Sequence, residues 1–286
     1  MTKRRTRLFV ITDPQAQQQT ALIKALLLAR MADCEVHAFA CVYRDLDEGG
    51  QYASRQDLKH RTLVEAEQWL AERLEALDAA GVPHTSEVVW NSRWHEIALR
   101  EIAKSNCDLV IKSSFHHGRA KRFFSKTSDY SLMRKCACPV LFVHQEQDWK
   151  SNRLLACIDL ESGDPQHARL NKAILSDARA LANFIGMELH IASAYESEIN
   201  INNLPFKQHA GHSTTEQLAE IYDVDTARIH LRRGETVAVL EALCAELDPS
   251  IVVMGTLART GIKGKLIGNT AEKLLDLTRA DVLTIN

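Results

Sequence analysis

Ile251-Val252-Val253-Met254-Gly255-Thr256-Leu257-Ala258-Arg259-Thr260-Gly261, followed by Leu266-Ile267-Gly268-Asn269-Thr270-Ala271-Glu272, decides the fold class of this chain. A four-residue apolar run reads as a buried strand, and it delivers the backbone into a loop of small residues that carries Arg259, Lys263 and Lys265. The loop then opens a helix. In α/β proteins this arrangement holds phosphate, because glycine permits close backbone approach and a helix start presents unpaired N–H groups and partial positive charge to an anion. Taken alone this is a modest signal, and the spacing, Gly255, two residues, Ala258, nine residues, Gly268 and then the polar Asn269, is what leads the reading outward.

Working outward, the same order of elements occurs twice. Leu8-Phe9-Val10-Ile11-Thr12-Asp13 matches Leu154-Leu155-Ala156-Cys157-Ile158-Asp159, each an apolar run ending in Asp and followed by Pro. The segments beginning at Cys34 and Met187 match in turn, with internal His37 and His190. Leu109 and Ile251 open equivalent runs 142 residues apart, and so do Pro139 and Asp281. Internal repetition with preserved spacing means two copies of one unit. Between the apolar runs lie helical stripes: Leu63, Ala66, Leu70, Leu74 and Leu77 up to Gly81; Trp94, Ile97, Ala98 and Ile102 after a capping Asn91; Val237, Leu240, Cys244 and Leu247 after Gly234. Short apolar runs alternating with helices predict parallel strands joined by right-handed crossovers and covered on both faces. The predicted fold is α/β, two tandem five-stranded units over residues 1–148 and 149–286, divided in the polar stretch 145–152.

Composition bounds the function. At 286 residues, 45% hydrophobic and 25% charged, the chain has the makeup of a globular protein of about two domains. Apolar runs are broken by charges such as Lys24 and Arg30, so a membrane span is not expected, and Lys3, Arg4, Arg5 and Arg7 lead into a strand rather than a signal peptide. Seven scattered cysteines suit a reduced, cytoplasmic protein. A net charge of −2 argues against a general nucleic-acid binder, although Lys112, Arg119, Lys121, Arg122, Lys126, Arg134 and Lys135 form a local basic concentration. That concentration reads either as a solvated face or as an anion contact.

At this level the residues resemble a known family. Val252-Val253-Met254-Gly255-Thr256, Arg259-Thr260-Gly261-Ile262 and Leu266 to Lys273, with Val89-Trp90, Asp108 to Lys112 and Leu132 to Cys136 in the first half, are similar to the tandem universal stress proteins of the E type. The resemblance covers both halves. It implies a sheet of strand order 3-2-1-4-5 in each, of the adenine nucleotide alpha-hydrolase-like kind, with a ligand crevice at the carboxyl ends of strands 1 and 4. It implies an internal pseudo-dimer through the last strands, leaving further dimerisation open, and an ATP or AMP-like nucleotide as ligand. Carried over, Asp159 and Ile191 face the base or ribose, while Gly255, Ala258, Arg259, Gly268, Asn269 and Thr270 line the phosphate side.

Two departures bear on that expectation. Ala258 stands where the family pattern has a second Gly, and Asn269 where it has Ser or Thr. Asn269 with Glu272 reads equally well as a helix capping pair. In the first half the corresponding residues are Ser113, His116, Lys126 and Thr127, so none of these positions holds a glycine and at most one nucleotide site, in the second half, is expected.

The remaining constellations read as structural. His116-His117 and the His209, His212 pair lack a Cys or carboxylate set at zinc spacing, so no metal is expected. Cys136-Ala137-Cys138 is shorter than a Cys-x-x-Cys redox motif and is read as buried structure. Trp94 is read as core, and Trp90 either as core or as a stacking wall for an apolar ligand. No Gly-x-Ser-x-Gly, P-loop or His-Glu-x-x-His motif is present, so no catalytic residue is assigned. A nucleotide-binding regulatory protein in stress response is the favoured expectation. A non-nucleotide adaptor with vestigial sites, contacting an unidentified protein partner, is the alternative, as is a weak ATPase or binder of another phosphorylated or apolar small molecule.

Overall fold

The computed structural model describes residues 4–45, 52–114, 122–144, 149–161, 164–199, 213–256 and 269–286, the side chains of 122–128 and 269 excepted. The chain forms two compact units, Met1–Asp148 and Trp149–Asn286. In the first, β1 (Thr6–Thr12), α1 (Thr20–Met31), β2 (Cys34–Val42), α2 (Arg55–Ala79), β3 (His84–Trp90), α3 (Trp94–Ser105), β4 (Leu109–Ser113), α4 (Arg122–Lys135) and β5 (Val140–Val143) alternate strictly. The strands lie in the order β3-β2-β1-β4-β5, every neighbouring pair parallel. The second unit repeats this with β6 (Arg153–Cys157), α5 (Pro165–Ile185), β7 (Glu188–Tyr195), α6 (Thr214–Tyr222), β8 (Ile229–Arg233), α7 (Thr236–Leu247), β9 (Ile251–Gly255), α8 (Asn269–Leu277) and β10 (Asp281–Ile285). Its order is β8-β7-β6-β9-β10, again parallel throughout.

The sheet cores follow from the apolar runs. Leu8 to Ile11, Leu154 to Cys157 and Ile251 to Met254 are all buried, as expected of parallel strands with helices on both faces. The repeat reaches single hydrogen bonds. Ser114 N–H donates to the Val143 carbonyl at 2.8 Å, and Thr256 N–H to the Ile285 carbonyl at 3.0 Å; Asp108 N–H donates to Arg7 at 2.9 Å, and Ser250 N–H to Arg153 at 3.0 Å. Each pair joins equivalent positions of the two copies.

Local chemistry sets the helix limits. α2 begins where the Ser54 hydroxyl accepts the Asp57 N–H, and the chain turns out of it at Gly81, whose φ is +66°. Its buried stripe is Leu58, Thr62, Ala66, Leu70, Leu74 and Leu77; Leu63 lies beside the stripe, half-buried, and Thr62 takes its place. α5 is capped by Asp164, carries Pro165 in its first turn and ends at Gly186 with φ +71°. Asn91 does not cap α3. Its Oδ1 accepts the Arg93 N–H at 2.8 Å, forming a turn ahead of the helix, and the N-cap position is Arg93, which makes no capping bond. α7 buries Leu240 and Leu243, with Val237, Cys244 and Leu247 half-buried along its flank.

Candidate functional site

In each unit the first strand is flanked by neighbours whose crossovers leave in opposite directions, β7 and β9 around β6 in the second unit. Open α/β sheets bind ligands beyond the carboxyl ends of the strands at such a switch point. In the second unit the described residues at those ends are Asp159 after β6, Gly255 and Thr256 at the end of β9, and Thr270 in the first turn of α8. Ala258, Arg259 and Gly268 lie outside the described residues, and so does the side chain of Asn269. The His116-His117 and His209, His212 pairs are also outside them.

Asp159 is held from several sides. Its backbone N–H donates to the Asn171 side-chain oxygen at 3.0 Å, and the Asn171 amide donates back to the Asp159 carbonyl at 2.7 Å. A side-chain amide that matches a peptide unit in both directions fixes the strand end as another strand would. The carboxylate takes the Glu161 N–H at 3.0 Å and meets His167 Nδ1, buried in α5, at 3.1 Å. Glu161 continues the scaffold, since one of its oxygens accepts the Glu196 N–H, the Ser197 N–H and the Ser197 hydroxyl at 3.0, 2.8 and 2.9 Å. Sequence reading singled out Asp159 but not His167, Asn171 and Glu161, whose contacts with it depend on how the chain from β6 into α5 lies.

Ile191 lies short of the carboxyl end of β7. It is in the middle of β7, fully buried and paired with Ala156 on one side and Ile229 on the other. Ser193 lies nearer the strand end, and its hydroxyl accepts the Leu160 N–H at 3.2 Å.

Gly255 has a packing reason of its own. A Cβ placed there would stand 2.2 Å from Leu170 Cδ2 and 2.8 Å from Leu170 Cγ, with Ile174 Cδ1 at 3.1 Å. The glycine therefore admits α5 against β9. Thr256 is tied to the end of β10, its N–H on the Ile285 carbonyl and its hydroxyl on the Asn286 side chain.

The first unit keeps the frame and changes the contents. Asp13 is fixed by Gln19, which accepts its N–H at 3.1 Å and donates to its carbonyl at 2.8 Å. Ser113, at the position of Gly255, accepts the Ala21 N–H in the first turn of α1 at 3.0 Å. Lys112, at the position of Met254, brings its ammonium to 2.7 Å from Asp129 Oδ1 and donates to the Ser113 carbonyl at 2.7 Å. The Asp129 contact is off the hydrogen-bonding angle, so charge rather than a directed bond holds that oxygen; the other oxygen accepts the Ser114 hydroxyl at 3.0 Å. The Trp94 ring stands against the same ammonium, its centroid 5.5 Å away, and Trp90 packs on Tyr43. Both side chains of the ion pair are largely buried, at 14% and 7% exposure. A buried ion pair with a hydroxyl partner thus fills the strand end where the second unit has Met254, Thr256 and Ala271.

The universal stress protein family model matches residues 4–144 and again residues 152–286. The chain belongs to the universal stress protein family. As a tandem universal stress protein it is 29% identical to universal stress protein E of Salmonella typhi, over 97% of this chain and 93% of that one. It is 25% identical to the universal stress protein E homolog of Haemophilus influenzae, over 97% and 96%. Among solved structures, a protein of Pseudomonas aeruginosa UCBPP-PA14 assigned to the universal stress proteins superposes with a TM-score of 0.72 at 25% identity, covering 98% of this chain and 92% of that chain. A universal stress protein of Archaeoglobus fulgidus superposes at 0.71 with 15% identity, covering 98% of both, a likeness of fold. Among the described residues of this universal stress protein no helix is long and apolar enough to cross a membrane.

Proposed function

We propose that the second universal stress domain binds an adenine nucleotide, ATP or AMP-like, at the carboxyl ends of β6 and β9, and that the first does not. The contrast between the two strand ends carries this reading. Lys112, Ser114 and Asp129 fill the first with a buried ion pair, whereas Met254, Thr256 and Ala271 at the equivalent positions bring no charge to the second. A phosphate brought to the first unit would meet the Asp129 carboxylate; one brought to the second would meet the start of α8, where backbone N–H groups favour an anion. Thr270 offers a hydroxyl in that first turn and Arg259 a cation in the preceding loop. Asp159, oriented by His167 and Asn171, stands at the β6 end where a ribose or base would lie. In place of the family's glycine, Ala258 adds a Cβ and no charge, so weakened binding is expected rather than none. The role is ligand sensing, with no dedicated nucleophile or base assigned.

Equilibrium dialysis of the full chain against ATP tests this. One nucleotide per chain is expected, lost in Gly268→Arg and retained in Lys112→Met. Two nucleotides per chain, or binding that survives Gly268→Arg and is lost in Asp13→Ala, would overturn it.

A further inference from the structure

Three thiols of the first unit converge at the end of the sheet opposite the strand-end crevices. Cys107 lies in the connection from α3 to β4; Cys136 and Cys138 lie in the connection from α4 to β5. β4 and β5 are adjacent and parallel, with Val110 opposite Val140, so the two connections arrive side by side. Cys107 Sγ is 3.3 Å from Cys138 Sγ, and Cys138 Sγ is 3.7 Å from Cys136 Sγ. Cys107 and Cys138 are both in the thiol form.

Their surroundings differ. Cys136 is buried, while Cys107 and Cys138 are half-buried. Cys107 lies on the wall of a cavity of about 360 Å³ that Arg7, Glu35, His37, His84 and Lys104 also line. A small polar reagent therefore has a route to this thiol. The Cys138 thiol hydrogen-bonds Cys107 and holds its thiolate form below the usual cysteine range, against the opposing effect of burial; Ser105 adds to the same stabilisation. Cys138's own ionisation is pushed up by its two sulfur neighbours, and Cys136 is drawn down by Cys138 as Cys107 is. Two half-buried thiols with their sulfurs 3.3 Å apart are placed as an attacking sulfur and a resolving one would be. Among the described residues no group of three or more His, Cys, Asp or Glu is arranged to hold a metal ion.

We propose that Cys107 and Cys138 form a thiol-disulfide site that reacts with peroxide-class oxidants. The Cys107 thiolate attacks the peroxide: an S–O bond forms, the O–O bond breaks, sulfur gives up two electrons, and the leaving oxygen departs as water or alcohol once protonated. Cys138 sulfur then attacks the sulfenic acid, forming the S–S bond and breaking the S–O bond, and water leaves with the Cys138 proton. Two thiols become one disulfide and one peroxide is reduced. The product ties the entry to β4 to the entry to β5, and a thiol reductant reverses it.

The reduced full chain, treated with stoichiometric hydrogen peroxide, capped with N-ethylmaleimide and analysed by intact and peptide mass spectrometry, gives the answer. Two fewer adducts than the seven cysteines of the reduced chain are expected, with a peptide linked between Cys107 and Cys138 and full recovery after dithiothreitol. In Cys138→Ser the link is lost and dimedone labels Cys107. The wild-type map stands without the variant. First oxidation at Cys41 or Cys244, or Cys107 passing to sulfinic acid while Cys138 stays alkylatable, would overturn the proposal. So would a stoichiometric soft metal ion retained by the purified protein, with the three thiols protected until it is chelated.

Discussion

Substituting Gly255 separates two reasons for a glycine at the end of β9. The Cβ of Gly255→Ala would lie 2.2 Å from Leu170 Cδ2 and 2.8 Å from Cγ, whereas carbon atoms rest at about 3.5–4.0 Å. Leu170 must withdraw by well over 1 Å, roughly the difference between those separations. It has little room, since Ile174 is buried beside it with Cδ1 3.1 Å from the same Cβ. Overpacking of this kind costs about 1–3 kcal/mol. Leu170→Ala alone opens a cavity at about 2–4 kcal/mol. In the double variant the new methyl enters the space the leucine left, so the two changes should together cost about 2 kcal/mol less than their sum. Hydrogen exchange followed by mass spectrometry reads this on peptides of α5 and β9, with those of β1 and α1 as an internal control. Additive costs, or α5 and β9 protection unchanged in Gly255→Ala while nucleotide affinity falls, would refute the packing role and return the glycine to the ligand.

Two further outcomes follow from buried charge. His190 on β7 stacks on His230 of β8, rings 9° apart, with Nδ1 3.1 Å from His230 Nε2; Arg153, Arg228 and Arg232 face the pair as cations, Glu188 and Glu246 as anions. Burial first, then His230 and the arginines, brings the His190 pKa down to about 4. The folded state thus resists a proton that the unfolded chain accepts near pH 6.5, so this stability is complete above that value and is lost as pH falls toward 4. Between pH 7 and 5 the loss is on the order of 1–2 kcal/mol. It should be smaller by that amount in His190→Gln, measured by urea unfolding with pulsed exchange on β7 and β8 peptides at a common labelling pH; equal pH slopes in the two proteins would exclude His190 as the source. In the first unit, Lys112→Met strands the Asp129 carboxylate and should cost about 3 kcal/mol, while Lys112→Met with Asp129→Ala should recover most of it. Exchange on β4 peptides distinguishes these, and an equally destabilised double variant would mean the ion pair is not what the single change breaks.

Much of the frame was legible because parallel strands with both faces covered have to be written as uninterrupted apolar runs. Leu8 to Ile11 and Ile251 to Met254 have no other reading at that length between helical stripes. The difference between the two strand ends was legible too, since the 142-residue offset places Ser113 at the position of Gly255 and Lys112 at that of Met254. Contacts between helix and strand were not. Gly255 looks like a loop glycine until α5 brings Leu170, 85 positions earlier, onto its Cα. Asp159 gives no sign of His167 or Asn171, because a helix can present either face to the strand it follows. Ile191 is carried over from the family resemblance as the second-strand apolar residue, and pairing with Ala156 and Ile229 puts it short of the end of β7. Cys136 and Cys138 read as inert until the crossover through α4 sets Cys107 beside them.

The two copies agree down to equivalent backbone hydrogen bonds, so their strand ends differ through side chains rather than through a changed fold. In the first unit Lys112 has already lost its water, and Asp129, the Ser113 carbonyl and the face of Trp94 compensate. An incoming phosphate would have to displace Asp129 from the ammonium or accept its repulsion, and either costs more than binding to an exposed lysine returns. Lysine at a strand end therefore argues against an anion site when its counterion is built in. In the second unit no such ion pair occupies the equivalent positions, and Gly255 is spent on bringing α5 close. On the proposed function, selectivity for an anion would then fall to the loop that contains Ala258 and Arg259 and to the first turn of α8. A nucleotide would be recognised by backbone donors at α8 and oriented by Asp159, which His167 and Asn171 hold in place whether or not a ligand is present.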